Sequence, residues 1–513
     1  MSQFLHTLLD SIGLDVTKLL PNDRIDSIAC NSKIIVPGSV FIGLPGNHVH
    51  GSDFCTSSLS NGAAITLNKQ ISAGIDPSLE PHISLVLNQH VVQWSSIISS
   101  NFWQHPSRWL VLIGVTGTNG KTTVTHLIEH LSGASGYPSA LFGTLIDRWP
   151  GYSAIAKNTT GFNDQVQLQL ALAVEAGAMI GAMEVSSHAL HQHRIIGSQF
   201  SGAVFTNLSQ DHLDYHRSVE AYFEAKASLF EPPFLKNNSP SAVVNIDDMW
   251  GAKLAKRVRS HCWRSSLVNK EAELTIEDIV LSENGITGTL ITPIGKGKLQ
   301  SPMIGYFNLM NLLQSLGILL QHKGFSLPVL LEAVKTFRGV PGRMTDASIY
   351  FRQNRLTPQI VVDYAHTPDG LEKAILAIRP FVKQNLICIF GCGGDRDRSK
   401  RALMGKIGAR LADKVIITSD NPRYEHPQQI IDDILSGVSL KKEVFVEADR
   451  AIAIMSSLAA ASCNDLILIL GKGHEDYQSI KGENIYFNDQ EEVKKYIYRK
   501  FACDESSRNS ASL

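Results

Sequence analysis

The 513-residue chain balances 47 Lys and Arg against 48 Asp and Glu, for a net charge of −1. Its 43% hydrophobic and 19% charged residues describe an ordinary globular protein and exclude a basic nucleic-acid binder or a disordered chain. No apolar run approaches the ~20 residues of a membrane span, the N-terminus has no signal-peptide pattern, and the cysteines lack paired zinc spacing, so a cytosolic enzyme of roughly three domains is expected.

In the first segment, Ser39–Leu44, Ala63–Thr66 and Ile83–Leu87 read as short strands. The turn-formers Pro37-Gly38, Pro45-Gly46-Asn47 and Gly51-Ser52 lie between them. The pattern predicts a small α/β unit, and His105-Pro106-Ser107 reads as the linker that closes it.

Leu110–Ile113 is an apolar run suited to a buried parallel strand. Gly114, Gly117 and Gly120 then open the backbone, and Lys121-Thr122-Thr123 begins an amphipathic stretch to about His130. Strand, glycine loop, Lys-Thr and helix make a phosphate cradle: amides face the anion, Lys121 reaches the terminal phosphates, and a hydroxyl is left for Mg²⁺. The generic spacing would put the first glycine at Val115; here it stands at Gly114. Two further apolar runs end in polar clusters, Glu184 to His188 and Asn207 to His212. Ligands of a doubly wound sheet sit beyond the carboxyl ends of its strands, so three such ends should share one crevice. Glu184 and His212 are candidate Mg²⁺ ligands there. Lys226 has helical surroundings and, taken alone, reads as a solvated side chain. Leu274–Ile276, Ile286–Ile291 and Lys298–Met303 read as an antiparallel insert with glycine turns. Gly305 to Asn311 opens a helix, with Asn308 a candidate cap, and Gly339 to Arg343 reads as a hinge.

The last segment alternates four apolar runs with helical stretches. The runs end at Asp363-Tyr364-Ala365-His366, Gly391 to Arg396, Asp420-Asn421-Pro422-Arg423, and Gly471 to Glu475. Right-handed crossovers would align these loops on one edge of a parallel sheet. Arg396 and Arg423 can fork onto carboxylates and Glu475 can receive an ammonium, which suits an amino-acid substrate.

Several stretches resemble the Mur ligases and their folylpolyglutamate synthase relatives. The loop G-T-N-G-K-T-T resembles their ATP loop. Cys30 to Gly46 resembles the uridine-binding domain of the tripeptide-forming branch, with Asn31 and Lys33 for Asp and Arg and with His50 for Asp. The resemblance implies that Gly117, Thr118, Asn119, Gly120, Lys121, Thr122, Thr123, Asn308, Arg343 and Asp363 bind ATP. It implies that Ser32, the loop Asn47-His48-Val49, Asn158, Thr159, Thr160, Ser186, Gln192 and Arg194 hold a UDP-N-acetylmuramoyl-dipeptide. It implies that Arg396, Asp420, Asn421, Pro422, Arg423, Gly471 and Glu475 read meso-diaminopimelate, whose second carboxylate lysine lacks. Lys121, Lys226 and His212 become catalytic, with Thr122, Glu184, His212 and Lys226 at the metal. In this family the lysine at the position of Lys226 carries a CO₂-derived carbamate. A free lysine, with a pKa of about 10.4, would repel the ion.

The expectation is therefore an α/β chain of three domains. A central P-loop parallel-sheet ATPase domain (108–341) is flanked by a small N-terminal α/β domain (1–107) and a C-terminal Rossmann-like domain (342–513). It would act in the cytoplasm as a monomer on small-molecule substrates, with ATP, Mg²⁺ and a carbamate, without nucleic acid or membrane span. Two alternatives stay open: another amide ligase of the superfamily, lysine-adding or folylpolyglutamate synthase-like, and a P-loop nucleotide switch without ligase chemistry.

Overall fold

The computed structural model describes residues 2–14, 22–46, 49–68, 84–86, 91–235, 241–258, 262–282, 285–348, 357–439 and 443–510. The chain forms three successive α/β units around three parallel-rich sheets.

In the first unit, β1 (Ser27–Ala29), β2 (Ser39–Gly43), β3 (Ala63–Asn68) and β4 (Ser84–Val86) form a parallel sheet in sequence order. Two expected departures prove to be local caps. Asn31 Oδ1 accepts from Lys33 N, and His50 Nδ1 accepts from Ser52 N while Asp53 returns a bond to His50 N. An aspartate at either place could make the same acceptor bond, so the substitutions keep the turn. Asn47 and His48 lie outside the described residues. Helix α1 (Val91–Phe102) seats this unit on the next one. Its Ser96 and Ser100 hydroxyls donate to His193 O and Gly197 O, at 2.7 Å each.

The central sheet draws on β5 (Val111–Thr116), β6 (Ser139–Phe142), β7 (Ile146–Trp149), β8 (Tyr152–Ile155), β9 (Ile180–Glu184), β10 (Gly202–Phe205), β11 (Ala242–Asn245) and β12 (Cys262–Ser265). Their order is β8-β7-β6-β9-β5-β10-β11-β12, parallel except that β7 runs antiparallel to both β6 and β8. The sequence reading missed the β7–β8 hairpin; its only signal was Pro150-Gly151 between two short runs. Alternation along β5 divides two cores. Ile113 and Val115 face α2 (Lys121–Ala134), while Leu112 faces α3 (Asn163–Glu175). A fourth helix, α4 (Val219–Ala227), lies on the same side as α3. The expected antiparallel insert is present as β13 (Thr275–Ser282), β14 (Gly285–Thr292) and β15 (Gly295–Ser301). Between insert and main sheet runs α5 (Tyr306–Leu320), almost wholly buried and mostly apolar, with Asn308, Asn311, Gln314 and Ser315 as its buried polar side chains.

The third unit joins β16 (Thr345–Asp346), β17 (Gln359–Asp363), β18 (Leu386–Phe390), β19 (Lys414–Ile417), β20 (Val444–Val446) and β21 (Leu466–Leu470), ordered β16-β17-β21-β18-β19-β20. Only β16 is antiparallel. Val361, Cys388 and Leu468 pack on one face; Ile360, Ile389 and Ile467 pack on the other. These runs are continuously apolar because both faces are covered. Phe307, at the start of α5, packs onto this third core and ties it to the central unit. Among the described residues no helix is long and apolar enough to cross a membrane.

Candidate active site

The loop from β5 into α2 is the centre of the site. Gly117 and Gly120 have φ of +145° and +89°, and a Cβ on Gly117 would lie 1.9 Å from Thr206 Oγ1. Only glycine fits there. Gly114 plays no part in the loop. It lies inside β5, where an added Cβ would meet the Phe200 ring at 2.9 Å. Val115, where the generic pattern has its first glycine, is likewise inside β5. Strand β10 supports the loop through Asn207, whose O and Oδ1 accept from Thr118 N and Asn119 N.

Lys121 folds back, and its Nζ donates to Gly117 O and Thr118 O, both at 2.9 Å. Lys226, from α4, donates to the same Gly117 O at 2.8 Å and lies 4.5 Å from the centre of the Tyr222 ring. Its side chain is buried, so the expectation of a solvated lysine fails. Burial, helped by the neighbouring Lys121 charge, pushes the Lys226 pKa well below its ordinary value. Burial also lowers that of Lys121.

Glu184 ends β9 completely buried. Its Oε1 accepts from Thr144 N at 2.8 Å; its Oε2 accepts from Thr144 Oγ1 at 3.0 Å and Thr122 Oγ1 at 3.1 Å. Burial holds His212 neutral, with the ring 4.9 Å from His188. Burial opposes the charge on Asp211, but a hydrogen bond from His212 N and the Lys400 charge favour it, and its pKa is lowered to about 2. Among the described residues no group of three or more His, Cys, Asp or Glu is set for a metal ion. Glu184 with the Thr122 hydroxyl is the oxygen pair closest in character to one.

A cavity of about 350 Å³ opens beside the loop, lined by Asn119, Gly120, Asn311, Met310, Phe307 and Asp363, among others. The sequence reading placed Asn308 here, but Asn308 is turned away. It is buried, donates to Ile304 O at 2.7 Å and accepts from Asn311 Nδ2. It is not the helix cap either, a position held by Gly305. Asn311, one turn on, faces the loop instead. Asp363 does line the cavity, though its carboxylate accepts from Met344 N and Ala365 N. Arg343 crosses from the hinge to donate to Thr122 Oγ1 at 3.2 Å, stacked over Tyr364.

A larger cleft, about 1280 Å³, separates the central and third units. Its central wall includes Thr144, Asn158 and Thr159; its far wall includes Arg396, Arg423, His474 and Glu475. Thr160 is tucked behind, with its hydroxyl on Glu184 O and Ser186 N. Ser186 caps the following helix through Ala189 N. Arg194 is gripped by Gln192 Oε1 and Thr160 O, over the Phe162 ring. Ser32 is half-buried at the start of a short turn in the first unit.

Of the tetrapeptide Asp420 to Arg423, only Arg423 reaches the cleft surface. It has a positive φ of 53°, with Nη1 held by Gly394 O at 2.8 Å. Asp420 and Asn421 are buried supports, and Gly471 packs where a Cβ would lie 2.5 Å from Asp420 Oδ2. Sequence reasoning missed Arg148 and Lys157 on the cleft wall, both from or beside the unanticipated hairpin. It also passed over Tyr364 and His474, whose rings pack 4.9 Å apart.

Residues 115–319 match the Mur ligase middle domain, and residues 348–473 match the Mur ligase glutamate ligase domain. The chain is 51% identical over 505 residues to UDP-N-acetylmuramoyl-L-alanyl-D-glutamate–2,6-diaminopimelate ligase of Prochlorococcus marinus (strain MIT 9313), covering 98% of this chain and 99% of that one. The chain belongs to the Mur ligase family. The corresponding ligase of Synechococcus sp. (strain WH7803) is 53% identical over 497 residues, covering 97% and 99%. A solved structure of a ligase of the same name is 32% identical, with a TM-score of 0.66 over 98% of this chain and 100% of that one. A MurF ligase from Thermotoga maritima in complex with ADP shares the fold at 18% identity, with a TM-score of 0.63 over 93% and 98%.

Proposed function

We propose that this chain is the ATP-dependent ligase that joins meso-2,6-diaminopimelate to the γ-carboxyl of D-glutamate in UDP-N-acetylmuramoyl-L-alanyl-D-glutamate, a step of peptidoglycan synthesis. The observation that carries the reading is the large cleft, where Arg396, Arg423 and Glu475 face Thr144, Asn158 and Thr159, with Thr144 sharing Glu184 with Thr122 of the phosphate loop. The two relatives above half identity are named for this reaction.

On this reading ATP lies in the smaller cavity with its phosphates on Gly117 to Thr123. Its γ-phosphoryl group passes to the D-glutamate carboxylate, and ADP leaves. The amine of diaminopimelate then attacks the acyl carbon; the C–N bond forms, the C–O bond to phosphate breaks, and the amine gives up a proton. Lys121 is freed from its loop carbonyls to meet the transferring phosphoryl charge, and Arg343 meets it from the opposite unit. Arg396 and Arg423 hold carboxylates of the incoming amino acid, and Glu475 its ammonium. Ser32, Asn158, Thr159 and Thr160 with Ser186, Gln192 and Arg194 hold or support the nucleotide-sugar dipeptide.

The residues present fit Mg²⁺. Glu184 and Thr122 offer hard oxygens beside an anion cradle, and His212 is a neutral imidazole. Lys226 is buried, and burial lowers its pKa, which favours the neutral amine that takes up CO₂. The carbamate would turn a cation into two anionic oxygens. A bound Mg²⁺ would neutralise charge on the phosphates. The same reading divides the chain near 107 and 341, and places the enzyme in the cytoplasm as a monomer.

The test is ADP release with the UDP-dipeptide and, in parallel, meso-diaminopimelate, lysine or glutamate. Turnover with diaminopimelate alone is expected. Preference for lysine or glutamate, or ATP turnover indifferent to any amino acid, would overturn the reading.

A further inference from the structure

Lys472 is a fully enclosed cation on the amino-acid side of the cleft. It is fully buried in the loop after β21, between Gly471 and Gly473. Its Nζ donates to Glu475 Oε2 at 3.0 Å and to Asn421 Oδ1 at 3.1 Å. Asn421 Nδ2 closes the triangle by donating to the same Glu475 Oε2 at 2.8 Å. Asn421 is anchored in turn, since its Oδ1 also accepts from Ser479 N at 2.9 Å. One carboxylate oxygen of Glu475 is thus clamped from two sides. The side chain still lines the cleft.

A lysine with no exposure is costly unless it does something a neutral residue could not. Glu475 needs such a partner. Burial and the Asp420 carboxylate both favour its protonated form, and Lys472 opposes them. Arg450, Tyr364 and Tyr477 also interact with Glu475, and Arg396, Arg423, His474 and Asp476 line the same cleft. Arg450 is occupied by a bidentate pair with Asp489, and the two phenols are neutral. Lys472 is therefore the cation that touches Glu475 directly.

We propose that Lys472 is a positioning residue for the amino-acid substrate: it clamps and keeps ionised the Glu475 carboxylate that receives the substrate ammonium, and it ties that carboxylate to Asn421. The inference rests on the reading of the cleft as an amino-acid site. Lys472 does not touch the reacting atoms, so its loss acts on binding of the amine rather than on phosphoryl transfer.

In Lys472→Met, the KM for meso-diaminopimelate is expected to rise about 10- to 100-fold, the range for a lost charge-assisted hydrogen bond. The KM values for ATP and the UDP-dipeptide should stay within about twofold. The variant's amino-acid KM should fall again as pH rises and Glu475 ionises without its partner. A residue that merely filled space would not produce that pH dependence. Glu475→Gln should show the raised KM without the recovery, and adding Lys472→Met to it should change KM less than about twofold. This double variant leaves neither buried charge alone, so it serves as the test if the single variant fails to fold. An unchanged diaminopimelate KM in Lys472→Met, or a further tenfold rise in the double variant, would overturn the inference. Failure of the unmodified enzyme to use diaminopimelate would instead sink the functional reading beneath it.

Discussion

Lys121 and Lys226 donate to one carbonyl, and that shared contact sets what each can do. Lys121 stands at the start of α2, held on the loop carbonyls. Lys121→Ala should lower kcat by about 10³-fold, the loss typical of removing a preorganised charge donor; a steady-state rate near that of the parent enzyme would refute the role. Lys226 packs on the Tyr222 ring, and burial disfavours its charged form. With ¹³CO₂ it should give a carbamate carbon resonance that disappears in Lys226→Ala, and no such resonance means no modification. Arg423 is held by Gly394 O so that its remaining nitrogens face the cleft. Arg423→Ala should raise the KM for diaminopimelate about 10-fold or more, with KM for ATP unchanged.

Elements owe their placement to a few buried contacts. The last helix, Asp489–Ser510, is pinned to helix Arg450–Ala460 by a bidentate Arg450–Asp489 pair, with both side chains fully enclosed. Arg450 also donates to Leu470 O, at the end of β21, so the pair braces the strand that leads into the Lys472 loop. Arg450→Met leaves Asp489 buried and uncompensated, and should cost about 3–5 kcal/mol, read as a lower urea midpoint. Adding Asp489→Leu should recover part of that loss; a double variant weaker than the single one would show that the charges themselves stabilise. Helix α1 depends on small residues instead. A Cβ on Gly197 would lie 2.5 Å from Ser96 O, so Gly197→Ala should loosen the seat of the first unit by about 1–3 kcal/mol.

The whole molecule is held around its cleft by contacts that cross units. Arg343 reaches Thr122, Asn119 Nδ2 donates to Asp369 at 2.9 Å, and Gln210 donates to Ser399 at 3.0 Å. Several histidines near these seams are kept neutral by burial. His366 is lowered to about 4 and His474 to about 3, and His126 is lowered as well. In the unfolded chain each would bind a proton near pH 6.5, so below that value the unfolded state holds more protons than the folded one. Stability should therefore fall as pH drops from 7 to 5, with a lower urea midpoint at pH 5. A midpoint that rises over that interval would contradict the buried neutral assignment. Closure onto substrates should appear in solution scattering as a smaller radius with nucleotide and UDP-dipeptide than without.

Much of this was legible along the chain because it is local. Buried parallel strands need continuous apolar runs, and Leu386–Phe390 and Leu466–Leu470 supply them. A phosphate loop needs glycines where the backbone turns left-handed, and Gly117 and Gly120 supply them. Other assignments depend on packing between distant segments, which no local pattern encodes. Gly114 read as a loop glycine until Phe200 was seen against it. Asn308 and Asn311 both sit on α5, and only the helix's rotation against the loop decides which faces the cavity. Lys226 read as a surface lysine because a helical pattern does not say what covers it. Motif chemistry and the order of units were determined by sequence alone. Which side chains reach the cleft, and which lie behind to hold them, was decided by the tertiary structure, because burial and orientation arise only when separate elements close on one another.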